Sequence, residues 1–126
     1  MSRGVLAWVP AAAWAAAIFA VSARPSVAIP GFWSADKVLH FGAYALLGFL
    51  AAHGAAGSGL GPRWAAAIGC LYGASDEIHQ AFVPGRSADP ADWVADALGV
   101  LAGTFVYARL RARVRGRTPA VAASDR

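Results

Sequence analysis

The stretch DEIHQAFVPGRSADPADWVADALGVLAG, Asp76 to Gly103, decides how this chain is read. It carries five of the seven acidic residues, the only Glu (Glu77), one of the three histidines (His79), and Arg86. Apolar sequence presses on it from both sides, WAAAIGCLYGAS before it and VLAGTFVYARL at its end. An unpaired charge is costly away from water, so charges in such a setting need partners or a task. The stretch reads as a polar hairpin that dips into a membrane and carries the function.

Composition agrees with that class. The chain is 58% hydrophobic and only 14% charged, with a mean hydropathy of +0.49. A soluble domain carries about 25% charged residues. At 126 residues it is one domain. Cys70 stands alone and cannot form an internal disulfide. The isoelectric point near 10.0 invites a nucleic-acid reading. However, the basic excess is concentrated in one tail, Arg109, Arg111, Arg113, Arg115 and Arg117, with no interleaved aromatics. Such a juxtamembrane cluster marks a cytoplasmic end facing anionic lipid, and no nucleic-acid partner is expected.

Four apolar segments then divide the chain. The first, Val5 to Val21, is short for a span of about 20 residues and contains Pro10. It also has the layout of a secretory signal, with Arg3 before it and Val21-Ser22-Ala23 as a cleavage site. Its run is long for a signal core, so a retained helix is expected. Pro25, Pro30 and Gly31 make the next segment a loop, with Phe32-Trp33 as an interfacial anchor. A second span covers 37–56, GSGLGP forms a turn, and a third span covers 64–82. Pro84-Gly85 breaks that helix, and SADPAD has the form of a helix start with Pro90 in the first turn. The fourth span covers 91–107. The expected fold is all-α, an integral membrane four-helix bundle with short loops over 1–108. A basic, disordered cytoplasmic tail follows at 109–126.

The arginine tail orients the bundle with both termini cytoplasmic. The loop before Asp36 and the loop Val83–Asp89 are then extracytoplasmic. Helical phase, about 100° per residue, sorts each span into two faces. Lys37, His40, Tyr44, Gly48, Ala51 and Ala55 share a stripe, opposite Leu39, Leu46 and Leu50. Gly69, Tyr72, Gly73, Asp76 and Gln80 share another, with Glu77 and His79 at its edges. Asp89, Asp92, Asp96, Gly99 and Gly103 form the third, opposite Val94, Leu98, Leu101 and Phe105. Polar and small residues belong at helix contacts in a bilayer. Gly99-x-x-x-Gly103 should let the fourth helix approach a neighbour closely.

These residues resemble a family. Asp36-Lys37-x-x-His40-Phe41-x-x-Tyr44, then Glu77-x-x-Gln80-x-x-x-Pro84-x-Arg86, then Asp92-x-x-x-Asp96-x-x-Gly99 is similar to the VanZ-like family. Its members are small bacterial membrane proteins named after a teicoplanin-resistance protein. The resemblance covers roughly Asp36 to Gly103. Asp96 departs from it, since Asn is expected there, and adds a negative charge in place of a neutral amide. The resemblance implies a location in the bacterial inner membrane and a role in the cell envelope, with antibiotic resistance as one setting.

Two functions fit. In the first, Lys37, His40, Glu77, Gln80, Arg86, Asp92 and Asp96 bind a cell-wall precursor, a lipid head group or a glycopeptide-type antibiotic. Arg86 and Lys37 then hold its phosphate or carboxylate. In the second, the protein is an intramembrane enzyme on a lipid-linked phosphate, with Glu77 as general base and His40 or Asp92 assisting. Ser75 and Ser87 have no histidine at a nucleophile–base spacing, so catalysis is the alternative. No cofactor is expected. A metal site of His40, Glu77, His79 and Asp96 is set aside because Glu77 and His79 lie two apart on one helix and diverge. A transporter needs more room than four short spans provide unless the chain forms a homo-oligomer.

Overall fold

A computed structural model describes residues 2–25 and 33–117. The loop around 26–32 with its Phe32 anchor, the Trp33 side chain and the residues from 118 on lie outside that description. The described chain is all-helical: α1 (Arg3–Ala7), α2 (Val9–Ser22), α3 (Trp33–Gly57), α4 (Pro62–Gln80) and α5 (Pro90–Gly116).

Local chemistry explains the boundaries. Ser2 caps α1 by accepting the Val5 N–H. Pro10 has no N–H to donate to Leu6, and the first apolar segment divides at Trp8, whose N–H closes a tighter turn on Val5. Gly59 takes a positive φ of 75° in the α3–α4 turn, and Gly85 one of 77° after α4 ends. Asp89 caps α5, its Oδ1 accepting the Ala91 N–H at 2.9 Å, with Pro90 at the first helical position. At its other end α5 differs from expectation. It continues through the arginines to Gly116 rather than giving way to a disordered tail at 109. Ala, Leu and Arg are strong helix formers, and no breaker interrupts them before Gly116.

α3 and α5 are long and apolar enough to cross a membrane. At 25 and 27 residues they reach about 37 and 40 Å. Only 39% and 28% of their most apolar windows are buried, which is unlike the core helices of a soluble domain. α4, with its polar last turns, does not meet that apolarity criterion, and α2 is short.

The bundle turns its large apolar side chains outward. Leu39, Leu71, Ile78 and Phe82 are 69%, 71%, 64% and 83% exposed. Trp64, Val94, Leu98, Leu101 and Phe105 are exposed as well. Its centre holds Tyr44, Leu47, Val100, a cluster of alanines, and the polar residues Asp76, Glu77, Gln80, Asp92, Asp96 and Thr104. The helical stripes correspond to this division. Leu50 is an exception, half-buried against the alanine cluster rather than fully outward.

Close approach of α3 and α5 creates the seam. A Cβ on Gly48 would run into the Val100 backbone, one on Gly99 into the Phe41 carbonyl, and one on Gly103 into the Ala45 carbonyl. Thr104 adds a hydrogen bond to the Gly48 carbonyl at 3.3 Å. Small residues at such contacts let backbones meet where the surroundings supply no hydrophobic drive. α1 and α2 lie against α3 and α4 through Trp8 Nε1 to Ser58 Oγ at 2.9 Å, Trp14 Nε1 to the Ala43 carbonyl at 2.9 Å, and Tyr72 OH to the Ala15 carbonyl at 2.6 Å.

Gly103→Leu should therefore abolish most folded, monodisperse protein in detergent, because overpacking against backbone costs on the order of 3 kcal/mol or more. Gly42→Ala, where an added Cβ meets nothing within 4 Å, should leave yield unchanged. Equal yields from the two variants would contradict the seam.

Candidate functional site

Three helix ends deliver the polar groups to one place. Lys37 and His40 come from the start of α3, Asp76, Glu77 and Gln80 from the end of α4, and Asp92 and Asp96 from the start of α5. The α4–α5 loop adds Arg86 and Asp89. Because α4 runs opposite to its two neighbours, its last turns meet their first turns, and the three stripes converge.

Asp89 joins all three helices. Its Oδ1 caps α5, its Oδ2 accepts from Lys37 Nζ at 2.7 Å, and its N–H donates to Glu77 Oε2 at 3.0 Å. Lys37 also pairs with Asp92 Oδ1. The hydrogen bond from Lys37, with a further one from the Ala91 N–H, holds the Asp89 carboxyl below its ordinary range. His40 faces acids from both ring nitrogens: Nδ1 lies 2.8 Å from Asp96 Oδ1, and Nε2 lies 3.8 Å from Asp36 and 3.9 Å from Asp92. A second chain of bonds runs inward. Arg86 Nη2 donates to Gln80 Oε1 at 3.0 Å, Gln80 Nε2 to Asp76 Oδ2 at 3.3 Å, and Tyr44 OH to the same Asp76 oxygen at 3.1 Å.

Lys37, His40, Glu77, Gln80, Asp92 and Asp96 are thus brought together, and Arg86 joins them through Gln80. Although its loop, Val83 to Asp89, is short enough to hold it near Asp92, Arg86 makes no ion pair with an acid of α5 among the described residues. Among the described residues the ion pairs all run to Lys37 and His40. Lys37 takes the α5 acids first, and Asp89, which ends the loop, is already bound to it. Asp76 is the residue that the sequence reading underweighted. It is 5% exposed and holds both Tyr44 and Gln80. Its place on the Tyr72–Gln80 stripe was the available signal. His79 stays away, its ring stacked on Phe19 at 4.6 Å. His53 is exposed near the opposite end and bonds to Tyr107.

A cavity of about 390 Å³ opens beside this cluster. Trp14, Ala17, Ile18 and Val21 of α2 form an apolar wall, and His40, Tyr44, Asp76, Gln80 and Arg86 form a polar one. Three carboxylate oxygens, Asp76 Oδ1, Glu77 Oε1 and Asp96 Oδ2, are buried with no hydrogen-bond partner. The donor atoms of His40, Glu77 and Asp96 lie within 4.8 Å of one another, as do those of Asp36, His40 and Asp92. In chemical terms the arrangement can bind cations, transfer protons, and, through Arg86, meet an anion.

Lys37→Met should lower stability by about 3 kcal/mol, the low end for breaking a buried pair, because it strands Asp92. Lys37→Arg should restore much of it. The Asp89 contribution has a defined pH sense. Its carboxyl is depressed in the fold, so the contribution is present above about pH 4 and is lost as pH falls through the lower folded value. Thermal unfolding in detergent between pH 3 and 7 should show this acid loss in the native chain and a smaller one in Lys37→Met, where the Ala91 N–H still holds Asp89. Identical profiles would refute the Lys37–Asp89 assignment.

The family model described as VanZ/LLP1 matches residues 2–111. The match extends the sequence resemblance, which began at Asp36, back through α2 and α1. Comparison with curated proteins and with solved structures found no match. A match over so much of the chain, carried by helices whose motif residues meet in one cluster, places this protein in the VanZ/LLP1 family.

Proposed function

We propose that this chain is a multi-pass protein of the bacterial inner membrane that binds the polar head of a lipid-anchored ligand on the extracytoplasmic side. The ligand class comprises lipid-linked cell-wall precursors, lipid head groups and lipid-anchored glycopeptides. The cavity carries the reading. Its α2 wall is apolar and suits an acyl or prenyl chain, while its opposite wall presents hydrogen-bonding groups to a head. Arg86 is suited to a phosphate or carboxylate, because it donates to the neutral Gln80 and a guanidinium offers five donors. Lys37 is less suited than expected, since Asp89 and Asp92 already take its charge.

Charge distribution supports the orientation. The basic residues Arg111 and Arg115 lie beside the Gly59–Pro62 turn, at the end opposite the carboxylates. The positive-inside rule then makes that end cytoplasmic, and four crossings follow with α1 and α2 acting as one. Binding is favoured over catalysis by the serines. Ser75 is exposed and donates to the Tyr72 carbonyl of its own helix, so it offers no nucleophile to Glu77.

Two experiments test the reading. In a Cys70→Ser background, Ser87→Cys should react with an impermeant thiol reagent from outside intact cells and Ser58→Cys should not; the reverse pattern overturns the orientation. For binding, the chain is purified in mild detergent, and copurified amphiphile is measured by native mass spectrometry. Ala17→Trp, which fills the cavity from α2 and leaves the carboxylates alone, should remove bound amphiphile at normal protein yield. Arg86→Gln should weaken retention of anionic amphiphiles by about tenfold, equal to about 1.4 kcal/mol. Unchanged retention in both variants rejects the cavity as the site, and release of a free head group or phosphate during incubation supports the enzyme instead.

A further inference from the structure

The carboxylates of this cluster outnumber its cations. Asp36, Asp76, Glu77, Asp89, Asp92 and Asp96 surround Lys37, Arg86 and the His40 imidazole. Lys37 answers Asp89 and Asp92. Nothing among the described residues answers the inner pair, Glu77 and Asp96, except His40 and one backbone N–H. Both residues are more than nine-tenths buried, at 7% and 1% exposure. Each keeps one carboxylate oxygen without a hydrogen-bond partner. Buried oxygens with lone pairs unmet call for a proton, a water or a cation.

We infer that His40, Glu77 and Asp96 form a binding site for a divalent metal cation, of the zinc or manganese type. Three observations carry this. Each residue offers one donor atom, and all three atoms lie within 4.8 Å of one another. The donors come from α3, α4 and α5, so a bound ion links the three helices at the point where their packing ends. One imidazole and two carboxylates are the mixed nitrogen and oxygen set that suits zinc, and hard ions such as manganese tolerate it. His40 also lines the cavity, which has room for the remaining ligands.

The three donors, within 4.8 Å of one another, must draw together on the Glu77 side and part between His40 and Asp96. Tetrahedral zinc with bonds of about 2.0–2.1 Å holds neighbouring donors about 3.3 Å apart. His40 Nδ1 and Asp96 Oδ1 are 2.8 Å apart as a hydrogen-bonded pair, so they open by about 0.5 Å as the ion replaces the shared proton. His79 is not a ligand. It faces α2, stacked on Phe19. Spacing within one helix argued against a site that included both Glu77 and His79, and that argument does not touch a set assembled from three helices. The inference stands apart from the identity of any amphiphile in the cavity, because none of the three donors is supplied by α2.

The test uses the full, tag-free chain in detergent, stripped with a chelator and titrated with zinc chloride by calorimetry. The expected result is saturation at about one ion per chain. Glu77→Gln and Asp96→Asn should each weaken binding by about tenfold or more, and His40→Ala should abolish it. His79→Ala and His53→Ala should bind as the native chain does. Asp96→Asn keeps an acceptor for His40, so folded protein is expected. If a variant fails to fold, cobalt added to the native chain decides: visible bands of a low-symmetry, protein-bound ion support the site. No uptake of zinc, a cobalt spectrum like that of the free aqua ion, or equal uptake by all variants (an adventitious ion only) overturns it. No uptake would leave protonation as the answer to the unmet oxygens.

Discussion

Carboxylates buried among apolar helices must be compensated, and the rest of this fold follows from how that is done. A lone ionised group in such a place costs several kcal/mol or neutralises itself. Here the first partner is Lys37, placed in the opening turns of α3 and drawn to Asp89 and Asp92. Asp89 then relays the constraint, since it caps α5 and offers its N–H to Glu77 of α4. One loop residue therefore fixes the relative position of three helix ends. Ionised pairs at a helix terminus also suit the dipole, because Asp89 and Asp92 sit where the N-terminal partial charge of α5 is positive.

The glycine seam and the charged cluster depend on each other. Asp92, Asp96, Gly99 and Gly103 follow one stripe of α5, so the register that puts Gly99 on Phe41 also puts Asp96 on His40. Tyr44 marks the boundary. It is 1% exposed, contacts the buried core, and turns its hydroxyl to Asp76. A shift of the seam by one turn would remove both the close backbone contact and the ion pairs. Specificity of register is a better-attested use of buried charge than net stability.

Much of this was legible before any coordinates. A rotation of 100° per residue is enough to separate Leu71 and Ile78 from Asp76 and Gln80, because the polar and small residues there keep strict phase. Cap chemistry located the start of α5 from Ser87-Ala88-Asp89-Pro90. Other features were illegible for identifiable reasons. α2 is apolar all round, so its sequence carried no sign of which face would wall a cavity. The partner of Arg86 depends on which cation the α5 acids take: Lys37 pairs with Asp89 and Asp92, and Arg86 bonds to Gln80. The convergence of His40, Glu77 and Asp96 is a distance between helices, which spacing along one helix does not encode. The extension of α5 past Tyr107 follows from helix propensity, whereas a run of alternate arginines by itself reads as a tail.

The central claim is that the bundle is inverted, with large apolar side chains facing lipid and carboxylates facing one another. Spin labels placed at Leu71, Ile78 and Leu98 in reconstituted bilayers measure this directly. The account predicts strong collisions with oxygen dissolved in the lipid and weak collisions with a water-soluble nickel chelate. A label at Ser87 should show the opposite preference. Strong nickel relaxation at Leu71 and Leu98 would contradict the account, since it would put those faces in water and leave the buried acids without a reason.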